Sequence, residues 1–398
     1  MSSPTPGGNP FDSLFAQLGR MLSTEGPVNW EMARQFARMS AAEGEAEANV
    51  EPVERIRLEE LVRVADLHVA DVTGLPTSVT GRALSVAAVG RSGWASSTLD
   101  HWKPLLTALG EALRADTGPG GAPGEGDGEM DDALQQMLGP LLPGLQAAFL
   151  GLQLGSMVGS LAQRALGQYD LPIPRPESDE VMVVPANLAA FASDWSLPAD
   201  DVRLWVCLSE VTHHSVLGRP HVRRRLTDLL VEFVGAFDPS PAIEERLGQV
   251  DPSDLESLQR VLGDPAALFG ESHTDRQLAI APELQSLIAV VEGYVDHVVD
   301  TAGRRLIASY GPLTEALRRR RVERGQGERL VERLLGVELR QEQYDRGTRF
   351  VSGVIERAGD DGLARLWSSA TTLPTPPEVD APGLWLERIS FDEAQDGG

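Results

Sequence analysis

Between Ala133 and Gln163 the chain carries no charged side chain. A run of that length must leave water, and it exceeds the roughly 20 residues that span a bilayer. It therefore permits either a membrane span or a helix buried in a protein core. Gly139-Pro140 and Pro143-Gly144 break its front, and the remainder carries Gln146, Gln153, Ser156 and Ser160. It has no aromatic belt and no basic flank on its N-terminal side. These features predict a core helix and no membrane span. Gly151, Gly155 and Gly159 are spaced four apart and make a smooth face for close packing.

The rest of the chain is large enough to enclose such a helix. Its 398 residues are 42% hydrophobic and 24% charged, a globular composition. Against 35 basic residues stand 59 acidic ones, a formal net charge of −24. That balance repels nucleic acid and anionic membranes, so no nucleic-acid partner is expected. Lys103 is the single lysine among the basic residues, a bias that fits a GC-rich genome better than a functional choice. Cys207 is the single cysteine, so no intramolecular disulfide can form; its apolar helix makes it a core residue. Met1 to Pro10 lacks a basic stretch followed by an apolar run. Together these point to a cytoplasmic protein.

Helical spacing predicts a first helix through Phe11, Leu14, Phe15, Leu18 and Leu22, and a second carrying Trp30, Phe36 and Met39 behind an Asn29 N-cap. A third runs from Val53 to Val72, with Ile56, Leu61, Val64 and Leu67 along one side. A β-prone run, Ala83 to Val89, precedes a helix from Gly93 to Arg114. Thr117 to Glu129 holds six glycines, two prolines and three acids, and reads as a flexible linker. Val181 to Val184, a short apolar run ended by Pro185, reads as a single strand or extended piece. Beyond it the chain is helical, with breaks expected at Gly218-Arg219-Pro220, Asp238-Pro239, Asp251-Pro252, Ala281-Pro282, Gly311-Pro312 and Gly325. The resulting map is a disordered N-terminus at 1–10, a helical region at 11–116, a linker at 117–130, a helical core at 131–372 and an irregular, Pro-rich tail at 373–398. The fold class is mostly α, with at most a few short strands.

Histidine is scarce, and five of the seven fall between His213 and His297. In Asp200 to Leu217, the positions Val202, Trp205, Val206, Ser209, His213 and Val216 share one face. Glu210 lies one turn before His213 and His214. A Glu and a His so placed resemble part of the H-E-x-x-H motif, in which two histidines hold zinc and the Glu acts as general base. Here the five positions read Ser209-Glu210-Val211-Thr212-His213, without the first histidine. In Pro282 to Leu306, Glu292 and Asp296 stand one turn apart on the apolar stripe of Leu284, Ile288, Val291, Val295 and Val299. Buried carboxylates require a compensating partner. That partner is either a metal or a hydrogen-bonded carboxylate–histidine network fixing the two helices.

The basic clusters Arg223 to Arg225 and Arg318 to Arg321 with Arg324 read as solvated helix faces pairing with neighbouring acids. His68, His101, His221 and His273 read as surface or capping residues. Gly325-Gln326-Gly327 lacks the last glycine of a dinucleotide loop, and no P-loop, G-x-S-x-G elbow or paired CxxC occurs.

The segments Asn9-Pro10-Phe11, Gly26-Pro27-Val28-Asn29-Trp30, Leu166-Gly167-Gln168-Tyr169-Asp170, Glu210-Val211-Thr212-His213, Glu292-Gly293-Tyr294-Val295-Asp296-His297 and Leu384-Trp385-Leu386 resemble the actinobacterial family of zincin-like, zinc-dependent metalloproteases, long classed as a domain of unknown function. The resemblance spans nearly the whole chain. It implies a multi-helix zincin-like domain and a peptidase-type hydrolase acting on a peptide or protein. Carried over, Glu210 would be the general base, His213 a zinc ligand and Glu292 the third ligand; beside them, the spacing offers Asp296 as a carboxylate that orients a ligating histidine, His297 as a further candidate ligand and Ser209 as the holder of a water in the vacated place. Ser209 departs from the pattern at the first histidine. A second outcome is therefore a non-catalytic relative that binds or regulates a partner.

Overall fold

The computed structural model describes residues 26–44, 46–115, 142–238, 273–338 and 340–396. The expected helix at Phe11 to Leu22, the linker at Thr117 to Glu129, the front of the uncharged run and the Asp251-Pro252 break lie outside them.

The first helix, α1 (Trp30–Ala41), opens on Asn29, whose side chain accepts from Met32 N at 3.1 Å. Its buried face is Ala33, Ala37 and Ala41. Against it lies the uncharged helix, α4 (Leu142–Ala162). A Cβ on Gly151 would meet Asn29 O at 2.3 Å, on Gly155 Ala33 O at 2.3 Å, and on Gly159 Ala37 O at 2.6 Å. The glycine row thus lets the two backbones touch, as its spacing predicts. About two thirds of the most apolar part of α4 is buried within the protein, although the helix is long and apolar enough to cross a membrane.

Helix α2 (Pro52–Thr73) buries Leu58, Val62, Ala65, Val69 and Thr73. This corrects the expected face, since Ile56, Val64 and Leu67 are exposed. Both rows have helical spacing, but only the first keeps it without interruption and offers a small residue, Ala65, at mid-helix.

Strand β1 (Ser85–Ala88) pairs in parallel with β2 (Glu180–Val183), from Ser85 opposite Glu180 to Ala88 opposite Val183. The run expected as a single strand or extended piece at 181–184 is a strand, and it forms half of a two-stranded sheet. Asp179 clamps the approach to β1 by accepting from the backbone N–H groups of Val79, Thr80 and Arg82. On the other side of β2, residues 166–168 run antiparallel, with Gln168 N donating to Met182 O and Val184 N to Leu166 O.

Between the strands comes α3 (Arg91–Ala115). After β2 come α5 (Pro185–Asp194), α6 (Ala199–Leu217) and α7 (Pro220–Gly235). Next is α8 (Asp275–Leu306), which continues through Pro282 where a break was expected. A proline inside a helix costs about 3 kcal/mol. Tertiary anchors offset it here. Thr274 and Gln277 form a capping box, Thr274 Oγ1 donates to Ala236 O, Gln277 donates to Phe233 O, and Ile280 and Leu284 are buried.

The remaining helices are α9 (Tyr310–Val322), α10 (Gln326–Leu335) and α11 (Gln341–Ala364). The backbones of α8 and α11 meet at Gly293 and Gly347, where a Cβ on Gly347 would lie 1.8 Å from Ala289 O. The tail expected to be irregular forms α12 (Pro376–Asp380) and α13 (Pro382–Asp396). Each begins on its proline, the one helical position where proline loses nothing. Trp385, fully buried, donates to Thr372 O at 2.6 Å and ties this end to the core.

Candidate functional site

Helix α6 is buried on nearly all sides from Trp205 to Leu217, so its polar residues are locked in the protein's centre. It packs antiparallel to α8, which brings His213 against Glu292. Their atoms Nε2 and Oε1 are 3.2 Å apart, and the residues are only 4% and 5% exposed. His213 Nδ1 lies 2.9 Å from Ser209 O. A carbonyl only accepts, so Nδ1 carries the hydrogen, and a proton on Nε2 then makes the ring an imidazolium facing a carboxylate. Burial works against that charge, but the hydrogen bond and charge of Glu292, the charge of Glu210 and the Ser209 carbonyl raise the His213 pKa above its ordinary value. Tyr169 stacks on the imidazole, ring centroids 5.7 Å apart.

Glu210, near enough for its charge to act on His213, has hydrogen-bond partners of its own. Its carboxylate accepts from Gln168 N at 2.9 Å and from Tyr169 N at 3.1 Å, on the edge beside β2. A Cβ on Gly167 would lie 2.3 Å from the Glu210 carboxyl carbon, so the edge can seat on the carboxylate only with glycine there. Burial pushes Glu210 up to about 8, while the His213 charge and the Tyr169 N–H pull it down. The edge is fixed from outside by Trp94 Nε1 donating to Gly167 O and by Arg175 donating to Gln168 O. Arg175 Nη1 also donates to His101, which is half-buried rather than at the surface, and burial lowers His101 to about 4.

Asp296, one turn beyond Glu292, receives two bonds from the Arg321 guanidinium at 2.7 and 2.9 Å. Arg321 stacks over Tyr344 at 4.4 Å, and Arg324 donates to the Tyr344 hydroxyl. His297 turns toward a cleft between α8, α9 and α11, and burial lowers its pKa. The sequence-predicted residues thus divide into three groups: His213 with Glu292 and Ser209, Glu210 on the backbone edge, and Asp296 with His297 toward the cleft. Sequence reasoning missed Tyr169, Arg321 and Tyr344. Reading Arg318 to Arg321 as solvated is corrected for Arg320 and Arg321, which turn inward to Asp170 and Asp296. Their signal was present, because Leu313, Ala316 and Leu317 continue at helical spacing into Arg320, Arg321 and Arg324. Arg223 and Arg225 do pair with acids, Glu177 and Glu283.

A profile of the family described as zincin-like metallopeptidase matches residues 28–386. The chain belongs to the zincin-like metallopeptidase family. No curated protein matches it. Among solved structures it is similar to a presumed hydrolase with a novel fold from Chloroflexus aurantiacus, at 23% identity and a TM-score of 0.61, over 91% of this chain and 99% of that one. That likeness shows a shared fold.

The family implies zinc, and the donor set tests the fit. Zinc takes three protein ligands in catalytic sites and four in structural ones. Among the described residues no group of three or more His, Cys, Asp or Glu side chains is placed to hold a metal ion. His213 and Glu292 converge, Ser209 offers a weak oxygen, Glu210 is taken up by the amides of Gln168 and Tyr169, Asp296 by Arg321, and His297 lines the neighbouring cleft. The described residues do not make a complete zinc site.

Proposed function

We propose that this chain is a non-catalytic member of its family that binds a peptide or protein beside the α6–α8 pair rather than hydrolysing it. The observation that carries this reading is position 209. With serine there, the donors that meet are His213 and Glu292, and they face each other at 3.2 Å, within hydrogen-bond distance. A general base must reach the water it activates. Glu210 instead spends its carboxylate on two backbone amides and is 3% exposed.

One observation favours zinc-dependent hydrolysis instead. The 3.2 Å between His213 Nε2 and Glu292 Oε1 is close to the roughly 3.3 Å between neighbouring ligands at about 2 Å from a tetrahedral zinc. Metal analysis and a peptide-library digest of tag-free protein separate the readings. The expected result is less than about a tenth of an equivalent of zinc, unchanged in His213→Ala, and no cleavage. Near-stoichiometric zinc lost in His213→Ala, with cleavage lost in Glu210→Gln, would overturn the proposal.

A further inference from the structure

Helix α2 carries two rows of apolar side chains. One, Leu58, Val62, Ala65 and Val69, is buried against the core. The other, Val53, Ile56, Val64 and Leu67, is 37% to 72% exposed and supplies four of the nine large apolar side chains exposed among the described residues. At about 100° per residue these four fall within an arc of about 80°, centred on Glu60 and directly opposite the buried row. Apolar side chains scattered singly over a surface need no partner, whereas a row gathered on one face marks an interaction site.

The exposed row is palindromic about Glu60. Val53 and Leu67 lie seven residues to either side of it, Ile56 and Val64 four, and Arg57 and Arg63 three. Two α2 helices laid antiparallel on this face, with a twofold axis through Glu60, therefore set Val53 against Leu67 and Ile56 against Val64. An interface between identical copies requires such self-complementarity. The charges beside the row are of both signs. Arg57 and Arg63 flank it, Glu59 stands at its margin beside Arg63, and Glu60 is at its centre without a partner among the described residues. In the single chain Arg63 reaches Glu59 at 3.7 Å and Arg57 reaches Asp200 at 3.3 Å, a carboxylate it shares with Arg203. A second copy adds its own Arg57 and Arg63 around the two Glu60 carboxylates. Asp71, one turn beyond Leu67, falls opposite the uncharged Asn49, and Glu51, Glu54, Arg55 and Asp66 lie more than about 110° from the row's centre.

From this palindromic row we infer that α2 is the contact between two copies of the chain, packed antiparallel about Glu60. Each copy carries a net charge of −24, but a Debye length of about 8 Å at physiological salt confines the repulsion to groups near the contact. The row is about 21 Å long, and one helix face of that length buries less than the roughly 800 Å² per partner of a standard interface. The dimer is therefore a weak, reversible one, and it does not depend on peptide binding.

Sedimentation equilibrium of the full chain across the micromolar range tests it. A reversible monomer–dimer equilibrium is expected. Leu67→Asp sets a carboxylate against Val53 twice per dimer and should weaken association more than about tenfold. Leu145→Asp, at an exposed apolar residue on α4, should leave it unchanged, with urea midpoints showing that both variants keep the fold. Cysteine cross-linking reads the register, because the native Cys207 is buried. Val53→Cys chains mixed with Leu67→Cys chains should form a disulfide-linked dimer on mild oxidation. Either variant alone should not, since like positions then lie about 21 Å apart along the axis. A monomer at every concentration, whether a different partner covers the row or none does, would overturn the inference, as would dimerisation indifferent to Leu67→Asp. Cross-linking of either variant alone as readily as the mixture would overturn the antiparallel arrangement.

Discussion

The buried His213–Glu292 pair should behave as one unit in stability measurements. His213→Ala leaves the Glu292 carboxylate 5% exposed without its partner, a situation that costs about 3–5 kcal/mol. The Arg321 guanidinium lies near enough to interact electrostatically with Glu292, which places the cost at the lower end. Glu292→Ala is milder, since His213 can release its proton, and the loss reduces to one charge-assisted hydrogen bond, about 1.5–3 kcal/mol. The double variant should cost less than the sum by about 1–3 kcal/mol. pH provides a second check. A His213 pKa raised in the folded state contributes stability in full below its unfolded value of about 6.5, and loses it as pH rises through the folded value. The gap between wild type and Glu292→Ala should therefore narrow as pH rises. Glu210, pushed up to about 8 from 4.5, also loses its contribution as pH rises through that range. It is present in both proteins and largely cancels in the comparison. Urea unfolding with chelator present measures all of these. Single costs that add within about 0.5 kcal/mol, or a gap that widens with pH, would refute the imidazolium–carboxylate pair.

Two further outcomes follow from packing and from the sheet. Gly155→Ala drives a Cβ into Ala33 O and should cost about 1–3 kcal/mol by overpacking, whereas Gly235→Ala, with nothing within 4 Å, should be neutral or stabilise by up to about 1 kcal/mol; chemical denaturation distinguishes the two signs. Asp179 is held well below the usual carboxylate range by the Thr80 hydroxyl and the backbone N–H groups it accepts from, despite the opposing effect of burial. Its contribution is present above about 3.9 and is lost as pH falls toward the folded value, so Asp179→Asn should lower stability near pH 7 by about 1.5–3 kcal/mol and flatten the acid limb of the stability profile.

The fold was legible where a local pattern had one solution. Glycine at every fourth position of α4 predicts close backbone contact, and the backbone of α1 fills that place. It was misread where two patterns competed, as on α2, or where distant contacts outweighed a breaker, as at Pro282. The prolines of the tail were read as irregular chain because Trp385 reveals its partner, Thr372 O, only in three dimensions. At the site, the spacing of Glu210 with His213 and of Glu292 with Asp296 placed four polar side chains on two buried helices. It did not give their partners. Arg321 comes from α9 and the amides of Gln168 and Tyr169 from the edge beside β2, elements whose approach no helical periodicity encodes.

The same geometry makes Ser209→His a decisive substitution. Position 209 stands one turn before His213, and its carbonyl already orients the His213 ring by accepting from Nδ1, as supporting groups do for metal-bound histidines. A metal competes with the proton on Nε2, and the raised His213 pKa strengthens the proton's hold. Each zinc bound should release a proton, so affinity should rise with pH. Supplying the absent imidazole restores the third ligand, which at about 3 kcal/mol amounts to roughly a hundredfold in affinity. Competition against a chromophoric chelator, run beside His213→Ala as a control, measures that gain. Zinc affinity equal to wild type in Ser209→His would mean that α6 and α8 are spaced for an ion pair alone, and the serine would then be a consequence of the lost metal site rather than its cause.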